Sequence, residues 1–236
     1  MPSRPLTVAD LGVVPYGTAL ERQRSLAEQR ITGRLGADLL LLCEHPPVIT
    51  LGRGTRTTSL PIAPDALRQR GIEVFEIERG GDVTYHGPGQ LVGYPIFDLG
   101  GHRRDLHWFL RQIEEALIAA LARLGITGER RGGYTGVWTG GASRKIASIG
   151  IHVRQWVTWH GFALNVTTDL SAFDLIVPCG IPQVVMTSVA RELGRPDSAV
   201  QRHAGLGREA RDAVVEAFVR TFDFDAAVPL GADAAL

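Results

Sequence analysis

Apolar and polar positions alternate along this chain with two different periods. At helical spacing, Tyr16, Ala19, Leu20, Gln23, Leu26 and Ala27 mark one face of a helix over residues 15–30. Residues 37–44, with the apolar run Leu39–Leu42 inside them, read as a buried strand. Pro46 and Pro47 break it, and residues 48–51 resume extended structure before Gly52. A short helix over 65–70 stops at Gly71, and residues 72–77 and 91–99 read as strands. Asp105 is placed to cap the clearest helix. Leu106, Phe109, Leu110, Ile113, Leu117, Leu121 and Leu124 form its apolar stripe, and Gly125 ends it. Strands are expected at 136–138, 145–153 and 156–166. An irregular apolar segment should follow at 174–181, a helical turn or two at 186–193, and a last helix at 208–222. Helices and strands neither alternate regularly nor segregate. The expected fold is therefore α+β, a single domain with a mixed or antiparallel sheet flanked by helices. The expected boundaries are an N-terminal extension at 1–10, a catalytic unit at 11–222 and a small, acidic, mobile tail at 223–236, with residues 196–207 as the one linker-like stretch.

Composition narrows the class. The formal net charge is zero over 236 residues, so the clustered positive charge that a polyanion requires is missing and no nucleic-acid partner is expected. No apolar run approaches the ~20 residues of a membrane span, residues 1–11 lack a leader pattern, and no membrane partner is expected. The two cysteines, Cys43 and Cys179, fit a reducing cytosol, so a cytoplasmic location is expected. Of the 25 lysine and arginine side chains, a single one is lysine, Lys145. A coding bias toward arginine explains why lysine is scarce but not why one position keeps it. Arginine holds its proton at any working pH, whereas lysine can exchange one in a suitable environment.

Three places carry candidate chemistry. Cys179 stands between Pro178 and Gly180, on a turn that can present its thiol to a pocket; a free cysteine is also commonly a small buried hydrophobe. A thiolate needs a nearby cation to be populated at neutral pH, and Lys145, opening a strand, can supply one. The glycine-rich stretch 79–90 lets backbone approach a ligand and offer N–H groups, but it matches neither a phosphate-binding loop nor a dinucleotide fingerprint. His45, His86 and His160 raise a metal site as a competing reading. No ligand spacing of a known type is present, so neither metal nor cofactor is expected. A thiol hydrolase pairing Cys179 with His160 stays open.

Four segments together resemble one family: RGGDVTYHGPGQLVGYPI at 79–96, KIASIG at 145–150, HGFALN at 160–165 and VPCGI at 177–181, with EHP at 44–46 similar to a further element. They are similar to the octanoyl-carrier-protein:protein octanoyltransferases, also called lipoyl(octanoyl) transferases or the lipoate-protein ligase B family. The resemblance implies the catalytic fold shared by biotin-protein ligases and lipoate ligases. It implies transfer of octanoyl from acyl carrier protein to a lysine on lipoyl domains of 2-oxoacid dehydrogenases and on the glycine-cleavage H protein. It assigns Cys179 as the acyl-thioester cysteine and Lys145 as its activator. It also assigns Arg79, Gly80, Gly81, Asp82, Val83, Thr84, Tyr85, His86, Ser148, Ile149, Gly150, Gly161, Phe162 and Ala163 as substrate contacts, with His45 and His160 as further pocket residues. Arg53, Arg56, Arg144 and Arg154 are expected to meet acidic partners. The alternatives are an ATP-dependent lipoate or biotin ligase on the same fold and a non-enzymatic module that binds lipoyl domains.

Overall fold

The computed structural model describes residues 4–195 and 204–230. Its elements run β1 (Leu6–Val13), α1 (Tyr16–Ile31), β2 (Leu39–Glu44), β3 (Val48–Leu51), α2 (Pro64–Arg68), β4 (Glu73–Glu76), β5 (Val83–His86), β6 (Gln90–Ile96) and α3 (Leu106–Arg123). They continue β7 (Val137–Thr139), β8 (Arg144–Arg154), β9 (Val157–Asn165), β10 (Val185–Met186), α4 (Val189–Glu192), α5 (Ala204–Thr221) and β11 (Ala227–Pro229). Among the described residues the main sheet has the order β10-β8-β9-β6-β2-β1-β11, with β7 added to β8, and β4-β3-β5 form a second, smaller sheet. Pairing is mixed. β6 runs antiparallel to β2 and β9, whereas β1 runs parallel to both β2 and β11.

The apolar run of β2 places it in mid-sheet, covered on both faces. Its side chains divide by the pleat: Leu40 and Leu42 join Phe109, Ile113, Leu117, Val214 and Phe218 of α3 and α5. Leu39, Leu41 and Cys43 face the other way, onto Ala19, Leu26 and Ala27 of α1. Asp105 caps α3 as expected, accepting the Trp108 N–H at 3.0 Å. The sheet therefore lies between α1 on one side and the α3–α5 pair on the other.

Both ends of the chain differ from expectation. Residues 6–10, expected to be part of an extension, lie within β1, and residues 7–10 pair with β2. Residues 227–229, taken as mobile tail, form β11 on the edge beside β1, with Leu6 opposite Ala227. Asp10 and Gly12 interrupt the apolar pattern of β1, and its partners are distant in sequence, so local periodicity does not reveal it. The stretch 186–193 holds strand β10 and one helical turn, α4, whose start Ser188 caps by accepting the Arg191 N–H. The linker-like residues 196–203 and the end of the tail lie outside the described residues.

The site depends on two local features. Gln155 and Trp156, both at positive φ (50° and 66°), close β8 and β9 into a long hairpin. Its register sets Ser148 opposite Ala163, Ile149 opposite Phe162 and Gly150 opposite Gly161, so two segments separate in sequence become one patch of sheet. Beyond Cys179 the chain forms β10 and pairs parallel with β8, with Met186 beside Lys145. Thr187 N–H donates to the Lys145 carbonyl at 2.9 Å, which ties the cysteine turn to the lysine strand.

Candidate active site

Cys179 occupies a short helical turn, Pro178–Gly180, with φ 56° at Cys179 and 64° at Gly180. A left-handed cysteine is strained, and the surroundings hold it there. Val177 N–H donates to the Ser59 carbonyl at 2.9 Å, and Ser59 Oγ donates to Asp82 Oδ2 at 2.7 Å. That carboxylate oxygen lies where a Gly180 side chain would go, 2.4 Å from an ideal Cβ.

The amine of Lys145 reaches the turn. Its Nζ donates to Cys179 Sγ at 3.1 Å and to the Thr135 carbonyl at 3.3 Å, and it stands 5.4 Å from the centre of the Trp138 ring. Lys145 is 1% exposed, and the stem of its side chain is walled by Gly136. Ser148 Oγ lies 3.7 Å from the same sulfur. Burial pushes the Cys179 thiol up. The Lys145 charge and hydrogen bond, the Ser148 contact and the Arg79 guanidinium outweigh it, so the thiol titrates below its ordinary range.

Cys179 and Lys145 share a cavity of about 220 Å³. Of the expected contacts, Arg79, Gly81, Asp82, Thr84, His86, Ser148, Ile149, Gly150, His160, Gly161, Phe162 and Ala163 line it. Four do not. Val83 and Tyr85 alternate to the far face of β5 and pack with Ile49, Leu67 and Phe173. Gly80 donates its N–H to the Ile151 carbonyl at 3.0 Å and serves the backbone. His45 sits behind the wall, bonded through Nδ1 to the Val14 carbonyl at 2.7 Å and through Nε2 to Tyr94 Oη at 2.6 Å. Burial pushes His45 down to about 4 and His86 to about 3, so both rings are neutral at working pH. His160 lines the cavity, also pushed down by burial, but Cys179 bonds to Lys145 and Ser148 rather than to an imidazole.

Tyr16, Val92, Tyr94, Tyr134 and Ile181, none of them among the expected contacts, also line the cavity. Tyr16 carried a signal, a polar-tipped aromatic within the apolar stripe of α1. Its ring stacks on His86, centroids 5.9 Å apart. Arg79 is buried and donates to the Thr50 carbonyl and hydroxyl at 2.8 and 2.9 Å. No carboxylate among the described residues forms an ion pair with it, and it lines the cavity together with Lys145. No group of three or more His, Cys, Asp or Glu among the described residues is arranged to hold a metal ion.

The floor requires glycine at 161. An added Cβ would lie 1.9 Å from the Gly93 carbonyl oxygen, and that main chain moves only if β6 and β9 separate. Gly161→Ala is expected to cost about 2–3 kcal/mol of stability, read as a lower Tm in a calorimetric melt. An unchanged Tm would mean that the strands yield there.

Residues 15–205 match the family model described as the lipoyl protein ligase A/B catalytic domain. An octanoyltransferase of Gloeobacter violaceus is 52% identical over 212 residues, covering 89% of this chain and 87% of that one. The chain belongs to the octanoyltransferase family. A second octanoyltransferase, from Chloroflexus aggregans, is 52% identical over 193 residues, covering 81% of this chain and 87% of its own. Among solved structures, the bipartite lipoate protein ligase of Thermoplasma acidophilum superposes with a TM-score of 0.70 at 19% identity, covering 97% of this chain and 88% of that one. A lipoate-protein ligase A bound with ATP gives 0.68 at 18% identity, covering 98% and 90%. At those identities the likeness establishes the fold: the lipoate ligase architecture is the one expected for this family.

Proposed function

We propose that this chain moves an octanoyl group from octanoyl-acyl carrier protein to a lysine of a lipoyl domain, through a thioester on Cys179. The observation that carries the reading is the 3.1 Å contact between the thiol and the only lysine in the sequence, inside a cavity with apolar walls. Kinship with octanoyltransferases supplies the acyl group and the acceptor class.

In the first half-reaction the Cys179 thiolate attacks the carrier thioester carbonyl and a C–S bond forms. The tetrahedral intermediate collapses by breaking the carrier C–S bond, and the Lys145 ammonium protonates the departing carrier thiolate. In the second half-reaction the acceptor amine attacks the acyl-enzyme, gives a proton to Lys145 and expels the Cys179 thiolate. Thioester exchange is nearly balanced and amide formation runs downhill, so no nucleotide enters. Backbone N–H groups near Gly81, or beside Cys179, are the candidates to hold the oxyanion. Val92, Ile149, Phe162, Ala163 and Ile181 supply the apolar lining. Burying seven methylene and methyl groups is worth at most about 5–6 kcal/mol, enough to favour octanoyl over acetyl.

Arg53 and Arg56 are exposed and form no ion pair among the described residues, which leaves them available for an acidic carrier or lipoyl domain. Arg144 pairs with Glu192 at 2.7 Å and Arg154 with Glu28, so those two charges are already met. Both cysteines are free thiols, which supports the reading of a cytoplasmic enzyme. Among the described residues no helix is long and apolar enough to cross a membrane.

The test offers the chain a lipoyl domain with either octanoyl-acyl carrier protein alone or free octanoate and ATP. Octanoylation in the first tube and not in the second is expected. Modification that requires octanoate and ATP would make the chain a ligase; release of free octanoate without modification would make it a hydrolase.

A further inference from the structure

α3 carries a carboxylate within its buried face, two contacts from Lys145. Glu114 is 0% exposed, among Phe109, Ile113, Ala116 and Leu117. An ionised group in such a stripe is costly unless its oxygens are fully met, and an apolar residue of similar size often serves stability as well or better. Glu114 is fully met. Oε2 accepts from Arg111 Nη1 at 2.5 Å and from Arg130 Nε at 3.1 Å. Oε1 accepts the Gly136 N–H at 3.1 Å.

That last bond has a second end. The N–H of Gly136 and the carbonyl of Thr135 belong to one peptide unit, and the Thr135 carbonyl accepts from Lys145 Nζ at 3.3 Å. The carboxylate therefore reaches the catalytic amine through a single amide, N–H on one side and C=O on the other. A charge on the N–H side polarises the amide and strengthens its oxygen as an acceptor. Geometry reserves the place for glycine: Gly136 has φ 134°, and a Cβ there would lie 2.6 Å from the Ala147 carbonyl oxygen and 2.9 Å from Lys145 Cε.

We infer that Glu114 is a positioning residue for Lys145, acting through the 135–136 peptide to fix where the amine and its charge sit beside the thiol. The inference rests on the dyad reading of Cys179 and Lys145, though not on the identity of the acyl donor. Arg111 and Arg130 hold the carboxylate in place through Oε2. They leave one oxygen for the peptide.

The test compares the full chain with Glu114→Gln, with Lys145→Met and with the double variant, following Cys179 alkylation by iodoacetamide against pH. The glutamine keeps an oxygen for the Gly136 N–H but removes the charge. The alkylation midpoint of Glu114→Gln should rise, and its kcat for octanoyl transfer should fall about tenfold, with KM for the octanoyl carrier unchanged. In the Lys145→Met background Glu114→Gln should cause no further change. An unmoved midpoint, or the same shift with and without Lys145, overturns the inference and leaves Glu114 a structural residue. Should Glu114→Gln fail to fold, the native chain decides. The Gly136 amide resonance should titrate with the midpoint of Cys179 alkylation, and a flat resonance overturns the link. Because alkylation needs no octanoyl donor, a chain that fails to transfer octanoyl yet shows the Glu114 effect would sink the proposed reaction and keep this inference.

Discussion

Lys145→Met is expected to slow octanoyl transfer by about 10²–10⁴-fold while leaving the fold intact, because methionine fills nearly the same volume in that buried slot. The same change should raise the pH midpoint of Cys179 alkylation. The sign follows from the forces on the sulfur. Burial opposes the thiolate, and the Lys145 charge, at 3.1 Å, is the largest influence that favours it. With the charge removed, burial is opposed only by the Ser148 contact and the Arg79 charge, and the midpoint rises. In the native chain reactivity fades as pH falls through the lowered midpoint. In the variant it fades at higher pH, and the largest difference between the two lies between their midpoints. Lys145→Arg separates the two roles assigned to the amine. It keeps a positive charge, so part of the thiol reactivity should survive, but a guanidinium does not return a proton and transfer should stay low. An arginine variant that turns over normally would remove the proton-carrier role.

Cys179→Ala should reduce transfer to background, at least about 10⁴-fold, and with it any covalent acyl-enzyme. Its effect on stability should be small, since alanine meets the same left-handed backbone that cysteine does. Cys179→Gly is the sharper variant. Glycine adopts φ 56° without penalty, so this change should abolish turnover while raising stability by about 1 kcal/mol, seen as a higher Tm. A fall in Tm would mean that the turn depends on packing of the thiol more than on relief of strain. The strain itself has a use: it aims the sulfur at Lys145 and away from the apolar packing that claims Cys43, whose thiol burial pushes far up.

The contact between Lys145 and Cys179, the dyad proposed above, was legible in the sequence because both residues carry unusual local signals. Lys145 stands alone among arginines, and Pro178 and Gly180 demand a turn at Cys179. The core strand β2 and the capped helix α3 were equally plain, since an unbroken run of leucines and a capping aspartate act within a few residues. What the sequence hid was set by partners far along the chain. β1 and β11 are held by parallel pairing between the two ends of the molecule, which leaves no periodic trace in either. The glycine-rich stretch showed that a site was near but not which residues face it. The pleat of β5 sends Thr84 and His86 into the cavity and Val83 and Tyr85 out of it. His45 stands in a motif-like setting because it supports Tyr94, whose ring forms the wall.

In the proposed reaction one sulfur carries the acyl group. This is tested most directly by the intact mass of the chain after brief incubation with octanoyl-acyl carrier protein, without ATP and without a lipoyl domain. A gain of one octanoyl group is expected, mapped to Cys179, lost on treatment with hydroxylamine or on adding a lipoyl domain, and absent from Cys179→Ala. A chain that stays unmodified while still octanoylating a lipoyl domain, or an adduct that persists in Cys179→Ala, would contradict it.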